Sequence, residues 1–128
     1  MQEKLEEVLR RSTLFRRLST EDRQRLAAVA SVRQFDKGAP LFNEGDGSDL
    51  LYTVLTGRVK VFKMTARGTD VILELFGPGD PVGAVAVYES RPYPASAVAL
   101  EPTACVVIPR RRSSHCWKRI HPWSEDFS

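Results

Sequence analysis

The sequence predicts a mainly β protein, an antiparallel sandwich or jelly roll preceded by two short helices. Three observations carry this reading. All eight glycines lie between positions 38 and 83, so chain reversals are concentrated there. Short runs rich in β-branched residues recur between and after them, about ten residues apart. No helical pattern separates these runs, which argues against a parallel α/β sheet, whose strands need helical crossovers.

Taken in order, Leu5, Val8 and Leu9 recur at helical spacing within residues 3–10, a short amphipathic helix whose other face is charged. A second helix is predicted to start at Ser19, whose hydroxyl can accept from the amide of Asp22, with Glu21 and Asp22 at the positive end of the helix. Leu26, Val29 and Ala30 are its expected buried stripe. Strands are then predicted at residues 50–55, 59–62, 71–76, 97–100 and 104–108, the last an almost wholly apolar run from Ala104 to Ile108. Beyond it, Arg112 to Trp123 shows neither strand alternation nor a helical stripe, and Pro122 would interrupt a helix. The chain thus divides into a helical segment (1–37), a β-roll (38–110) and an atypical tail (111–128).

With 128 residues, 14.4 kDa and 42% hydrophobic residues, the sequence suits one domain with a sizeable core and argues against a multidomain enzyme. It shows neither a membrane-length apolar run nor the apolar run of a signal peptide, so a soluble cytoplasmic protein with no membrane partner is expected. The two cysteines, Cys105 and Cys116, lack metal-ligand or disulfide-framework spacing. Cys105, in an apolar strand, is expected to be a core residue. The sequence pI near 9.1 must be located before it is interpreted. Residues 1–37 carry 9 basic and 6 acidic groups, residues 38–109 carry 5 and 8, and residues 110–128 carry 5 and 2. The surplus therefore comes from the tail. Arg110-Arg111-Arg112 reads as a solvated run, and with no helix-turn-helix pattern visible no direct nucleic-acid contact is expected from this chain.

The order of motifs resembles the sensor domain of the Crp/Fnr family of bacterial transcription regulators, the cyclic-nucleotide-binding fold. The resemblance runs from Leu14-Phe15-Arg16-Arg17-Leu18-Ser19 through Phe42-Asn43-Glu44-Gly45-Asp46 and Leu51-Tyr52-Thr53-Val54-Leu55-Thr56-Gly57-Arg58-Val59-Lys60-Val61. It continues through Phe76-Gly77-Pro78-Gly79-Asp80-Pro81-Val82-Gly83 to Thr103-Ala104-Cys105-Val106-Val107-Ile108-Pro109, covering residues 12 to 110. It implies an eight-stranded antiparallel β-roll, or double-stranded β-helix, that holds a small-molecule effector. In the family a long dimerisation helix and a DNA-binding domain follow, forming homodimers; neither is recognisable here.

The resemblance also places the pocket, at a short helix between two strands opened by Gly83. The family's binders follow this glycine with a glutamate that accepts from the ribose, where this sequence has Ala84, which offers no acceptor. They set an arginine against the cyclic phosphate; here the position is Ala95, followed by Ser96, and a one-residue slip gives Pro94. The pocket is expected to be lined by Val82, Gly83, Ala84, Val85, Ala95 and Ser96 and to be more apolar than a nucleotide site. Cyclic AMP is not expected to bind in the usual manner, and the effector is left open: another small molecule, a haem, or none. Arg91, the obvious substitute cation, reads as a solvated turn residue.

No cofactor and no metal site are predicted. His115 and His121 lie in the tail without ligand spacing, Asp46 and Asp49 beside glycines read as turn residues, and no cysteine precedes position 105 to hold an iron–sulfur cluster. No catalytic constellation emerges. A cupin-like enzyme would need histidines within the strands, and residues 38–109 contain none. A stand-alone adaptor that binds a protein partner is the remaining alternative to a sensor.

The tail invites a test from the genetic code. His115-Cys116-Trp117-Lys118 must be encoded CAY-TGY-TGG-AAR, which one base earlier spells Leu-Leu-Glu, a motif of the family's long helix. The tail is therefore expected to be a frameshifted reading of a longer regulator that begins near residues 110–112. The alternative is a naturally divergent tail whose Trp117, Ile120, Trp123 and Phe127 cover apolar surface.

Overall fold

The computed structural model describes residue 16 and residues 18–110; the predicted helix over residues 3–10 and the tail 111–128 lie outside the described residues. Helix α1 (Thr20–Val29) starts as its sequence dictates: the Ser19 hydroxyl accepts from the Asp22 amide at 3.1 Å, with Glu21 and Asp22 in the first turn. Its buried face is Asp22, Arg23, Leu26 and Ala27, while Val29 and Ala30 are only half-buried. The expected stripe thus does face the core: Leu26 is fully buried, and Val29 and Ala30 pack against the core from half-buried positions. Residues 22, 23, 26, 29 and 30 fall on one side at helical spacing, and Val29 and Ala30, at the end of the helix, are less covered than Leu26. Charge is tolerated on this face because the Arg23 guanidinium donates to the Leu18 carbonyl and to Thr20 Oγ1 (3.2 Å).

Eight strands follow: β1 (Ser31–Phe35), β2 (Pro40–Phe42), β3 (Leu50–Thr56), β4 (Val59–Met64), β5 (Asp70–Phe76), β6 (Pro81–Val82), β7 (Ser96–Ala99) and β8 (Thr103–Pro109), with helix α2 (Ala84–Glu89) between β6 and β7. They form two four-stranded sheets, ordered β1-β8-β3-β6 and β2-β7-β4-β5, and all pairs are antiparallel. This is the predicted β-roll. The sheets enclose Leu51, Val54, Val59, Val82, Val106 and Ile108, each fully buried, and burial of such side chains contributes about 1.5–3 kcal/mol apiece. Cys105 lies in this core, also fully buried.

Strand β1 lies N-terminal to Gly38, inside the segment expected to be helical. It is an edge strand, paired with β8 from Ser31↔Val107 to Phe35↔Thr103, and all its residues but the half-buried Phe35 are exposed. A strand with so little to bury needs no apolar run and shows none. The opposite extreme is β5, at the edge of the second sheet. Its apolar residues Val71, Ile72, Leu73 and Leu75 are each about half exposed.

Candidate functional site

The site is built where β6 passes through Gly83 into α2. Gly83 has φ +78°, and a Cβ there would stand 2.7 Å from Cε1 of Tyr93 and 3.3 Å from Cζ of Phe42. Its missing side chain lets the stacked pair Phe42–Tyr93 (centroids 3.6 Å apart, rings 9° from parallel) lie directly against the backbone. The α2 helix ends at Ser90 in the left-handed conformation, its amide directed at the Val87 carbonyl. From the β2–β3 loop, the buried Ser48 hydroxyl donates to the Ala86 carbonyl at 3.0 Å, with the Arg91 carbonyl also beside it. The same loop holds Tyr93 on both sides: Gly45 N donates to its carbonyl (2.8 Å), and its own amide donates to Asp46 O (2.9 Å).

These elements enclose an open cavity of about 290 Å³ between α2, the start of β7 and one end of β4 and β5. Of the residues expected to line it, Gly83, Ala84, Val85 and Ala95 do, and so does Pro94. Val82 instead points its side chain into the core, fully buried. Ser96 follows the lining, and its hydroxyl oxygen accepts from the Glu44 amide at 2.9 Å. Arg91 is not among the lining residues; its exposed side chain pairs with Glu89 at 3.5 Å.

The lining also includes residues the sequence did not single out: Phe42, Val61, Glu74, Phe76, Pro81, Ala86 and Tyr93. Glu74 alone carried a local signal, since it interrupts the apolar run from Val71 to Phe76. Phe42 and Tyr93 stand 51 positions apart, and the pairing of β2 with β7, together with the backbone bonds of Gly45 and Asp46 to Tyr93, brings them together. Among the described lining residues Glu74 is the one charged side chain, and none is Lys, Arg or His. The Tyr93 hydroxyl is committed, donating to the Leu50 carbonyl. Burial pushes its pKa well above the usual tyrosine value, with Tyr52, Asp49 and Asp46 adding to the rise. The cavity therefore offers apolar and aromatic contact and one carboxylate. No group of three or more potential metal ligands occurs among the described residues, and none of their helices is long and apolar enough to cross a membrane.

Residues 32–119 match the cyclic nucleotide-binding domain family. The cyclic AMP receptor protein of Thermus thermophilus is 32% identical over 97 residues, 76% of this chain and 45% of that protein. The N-terminal domain of a transcriptional regulator from Streptomyces coelicolor superposes with a TM-score of 0.76 and 29% identity, over 93% of this chain and 84% of that one. The sensor domain of the transcriptional regulator DNR from Pseudomonas aeruginosa gives 0.85 at 24% identity, over 98% of this chain and 85% of that one, a likeness of fold. The chain spans about half the length of the curated relatives it matches. By the extent of the family match, and by a roll whose helix α2 opens at Gly83, this chain belongs to the cyclic nucleotide-binding domain family and is related to the Crp/Fnr-type transcriptional regulators.

Proposed function

We propose that this chain is the effector-sensing module of a Crp/Fnr-type transcriptional regulator, working in the cytoplasm, and that cyclic AMP and cyclic GMP do not bind it in the family's usual manner. The observation that carries the reading is the placement of Ala84 and Ala95. Both line the cavity, at the positions where the resemblance puts the ribose-binding glutamate and the phosphate-binding arginine. A cyclic phosphate here would forgo a charge-assisted pair worth about 1.5–3 kcal/mol, and the ribose a further hydrogen bond of about 1 kcal/mol. Together these correspond to about a hundredfold or more in affinity.

The sensing role draws support from how α2 is tied to the end of the roll. Arg110, the last described residue, hydrogen-bonds Ser90 Oγ at the C-terminus of α2 and pairs with Asp49 at 3.8 Å, while its amide donates to the Asp49 carbonyl at 2.9 Å. A shift of α2 on filling of the cavity would therefore be felt where the chain leaves the roll. Calorimetric titration with cyclic AMP and cyclic GMP is expected to give no binding in the micromolar range; micromolar binding of either would overturn this reading.

A further inference from the structure

The chemistry of the cavity wall narrows the class of effector. Phe42 and Tyr93 give it an aromatic wall, Phe76 closes another side, and Ala84 and Ala95 leave room without offering a polar group. The side-chain hydroxyls nearest the site are engaged, that of Tyr93 with the Leu50 carbonyl and that of Ser96 with the Glu44 amide. Glu74 lines the opening from β5, opposite Val61 of β4. Of the cations on β4 and at its start, Lys60 pairs with Asp70 at 3.4 Å and Arg58 with Glu101 at 4.0 Å, while Lys63, exposed near the far end of β4, is not among the described lining residues. At about 290 Å³ the cavity lies at the small end of ligand pockets, room for a ligand the size of a fused two-ring system.

From this we infer that the cavity binds a small, flat, apolar ligand that is neutral or carries a cationic group, and that Glu74 selects against anions. The inference rests on the reading of the cavity as an effector site and supplies the ligand's chemical class. An aromatic ligand gains edge or stacked contact with the Phe42–Tyr93 pair. A cationic arm gains the Glu74 carboxylate at the mouth, while a carboxylate or phosphate meets repulsion with no opposing cation in the lining. Because Glu74 is exposed, the selection is modest and sensitive to salt.

The test uses three probes of one shape and different charge: indole, tryptamine and indole-3-acetate, titrated into the full chain at low ionic strength and followed by amide NMR shifts. Indole and tryptamine are expected to move the amides of Gly83 to Ala86 and of Ala95. Tryptamine is expected to bind about two- to fivefold more tightly than indole-3-acetate. That gap should close in Glu74→Gln, whose exposed position keeps the fold intact, and also at about 0.5 M salt. Indole-3-acetate binding as tightly as tryptamine, a gap unchanged in Glu74→Gln, or silence of the pocket amides toward all three probes would overturn the inference. Cyclic AMP run in parallel separates the two failures. If it moves the same amides at micromolar concentration, the reading of the site falls; if it and the indoles are all silent, the ligand class alone falls.

Discussion

Tyr93 does two jobs with one side chain. Its ring forms a wall of the cavity against Phe42, and its hydroxyl, donating to the Leu50 carbonyl, pins the start of β7 to β3. Both need the neutral phenol. Burial raises the pKa of Tyr93 above its ordinary 10.0, raises that of Tyr52, and pushes the Cys105 thiol up to about 12 from 9.0. Each of these groups holds its proton more tightly when folded than when unfolded. Their contribution to stability is thus complete below the ordinary values and is lost as pH rises toward the folded ones. Thermal unfolding is accordingly expected at falling temperature from about pH 9 upward, first as the unfolded state releases the Cys105 proton and then, from about pH 10, those of Tyr52 and Tyr93. Cys105→Ala should flatten the first part of the decline. A transition temperature unchanged between pH 8 and 11 would contradict the burial described for these groups.

Among the elements, α2 is the one on which the site depends, and Gly83 is its most constrained position. Alanine there must adopt φ +78° and place its Cβ 2.7 Å from the Tyr93 ring. Gly38, with φ +86° and no atom within 4 Å, has the backbone constraint without the contact. Gly38→Ala is expected to cost about 1 kcal/mol and Gly83→Ala about 1–2 kcal/mol more in urea unfolding. The near-ultraviolet signal of the stacked rings should change in Gly83→Ala alone. Equal losses in the two variants would mean that the close approach of Gly83 to Tyr93 is not there.

The elements also differ in how openly the sequence announced them. Strands β3, β4, β5, β7 and β8 were legible because each carries a run of β-branched or apolar residues bounded by turn formers. Strand β1 was not, since an edge strand with Ser31, Arg33 and Gln34 exposed has no apolar face to display. Strands β2 and β6, of three and two residues, are too short for any period. At the site, Gly83, Ala84 and Ala95 could be found because they follow a local order of motifs. Phe42 and Tyr93 could not, since their meeting is a property of strand pairing and of the loop's backbone bonds to Tyr93. Val82 shows the limit of counting along the chain: it is next to Gly83 in sequence, but the alternation of a strand turns its side chain to the core.

For the molecule as a whole, the roll covers its core well and its edge poorly. Strand β5 has no strand beside its outer edge among the described residues and carries Val71, Ile72, Leu73 and Leu75, each about half exposed, the combination that favours edge-to-edge association. Light scattering of this chain is expected to show a mass that rises with concentration, and Leu73→Lys should suppress the rise without unfolding the protein. A concentration-independent monomer would show that β5 is covered in solution. The proposed reading of the cavity is that Ala84 and Ala95 stand where the resemblance puts the carboxylate and the guanidinium of nucleotide recognition. The most direct measurement is a calorimetric titration of cyclic AMP into the unmodified chain beside Ala84→Glu/Ala95→Arg. No micromolar binding is expected of the unmodified chain, and a gain of about a hundredfold in the double variant. Micromolar binding by the unmodified chain, or no gain in the double variant, would contradict it.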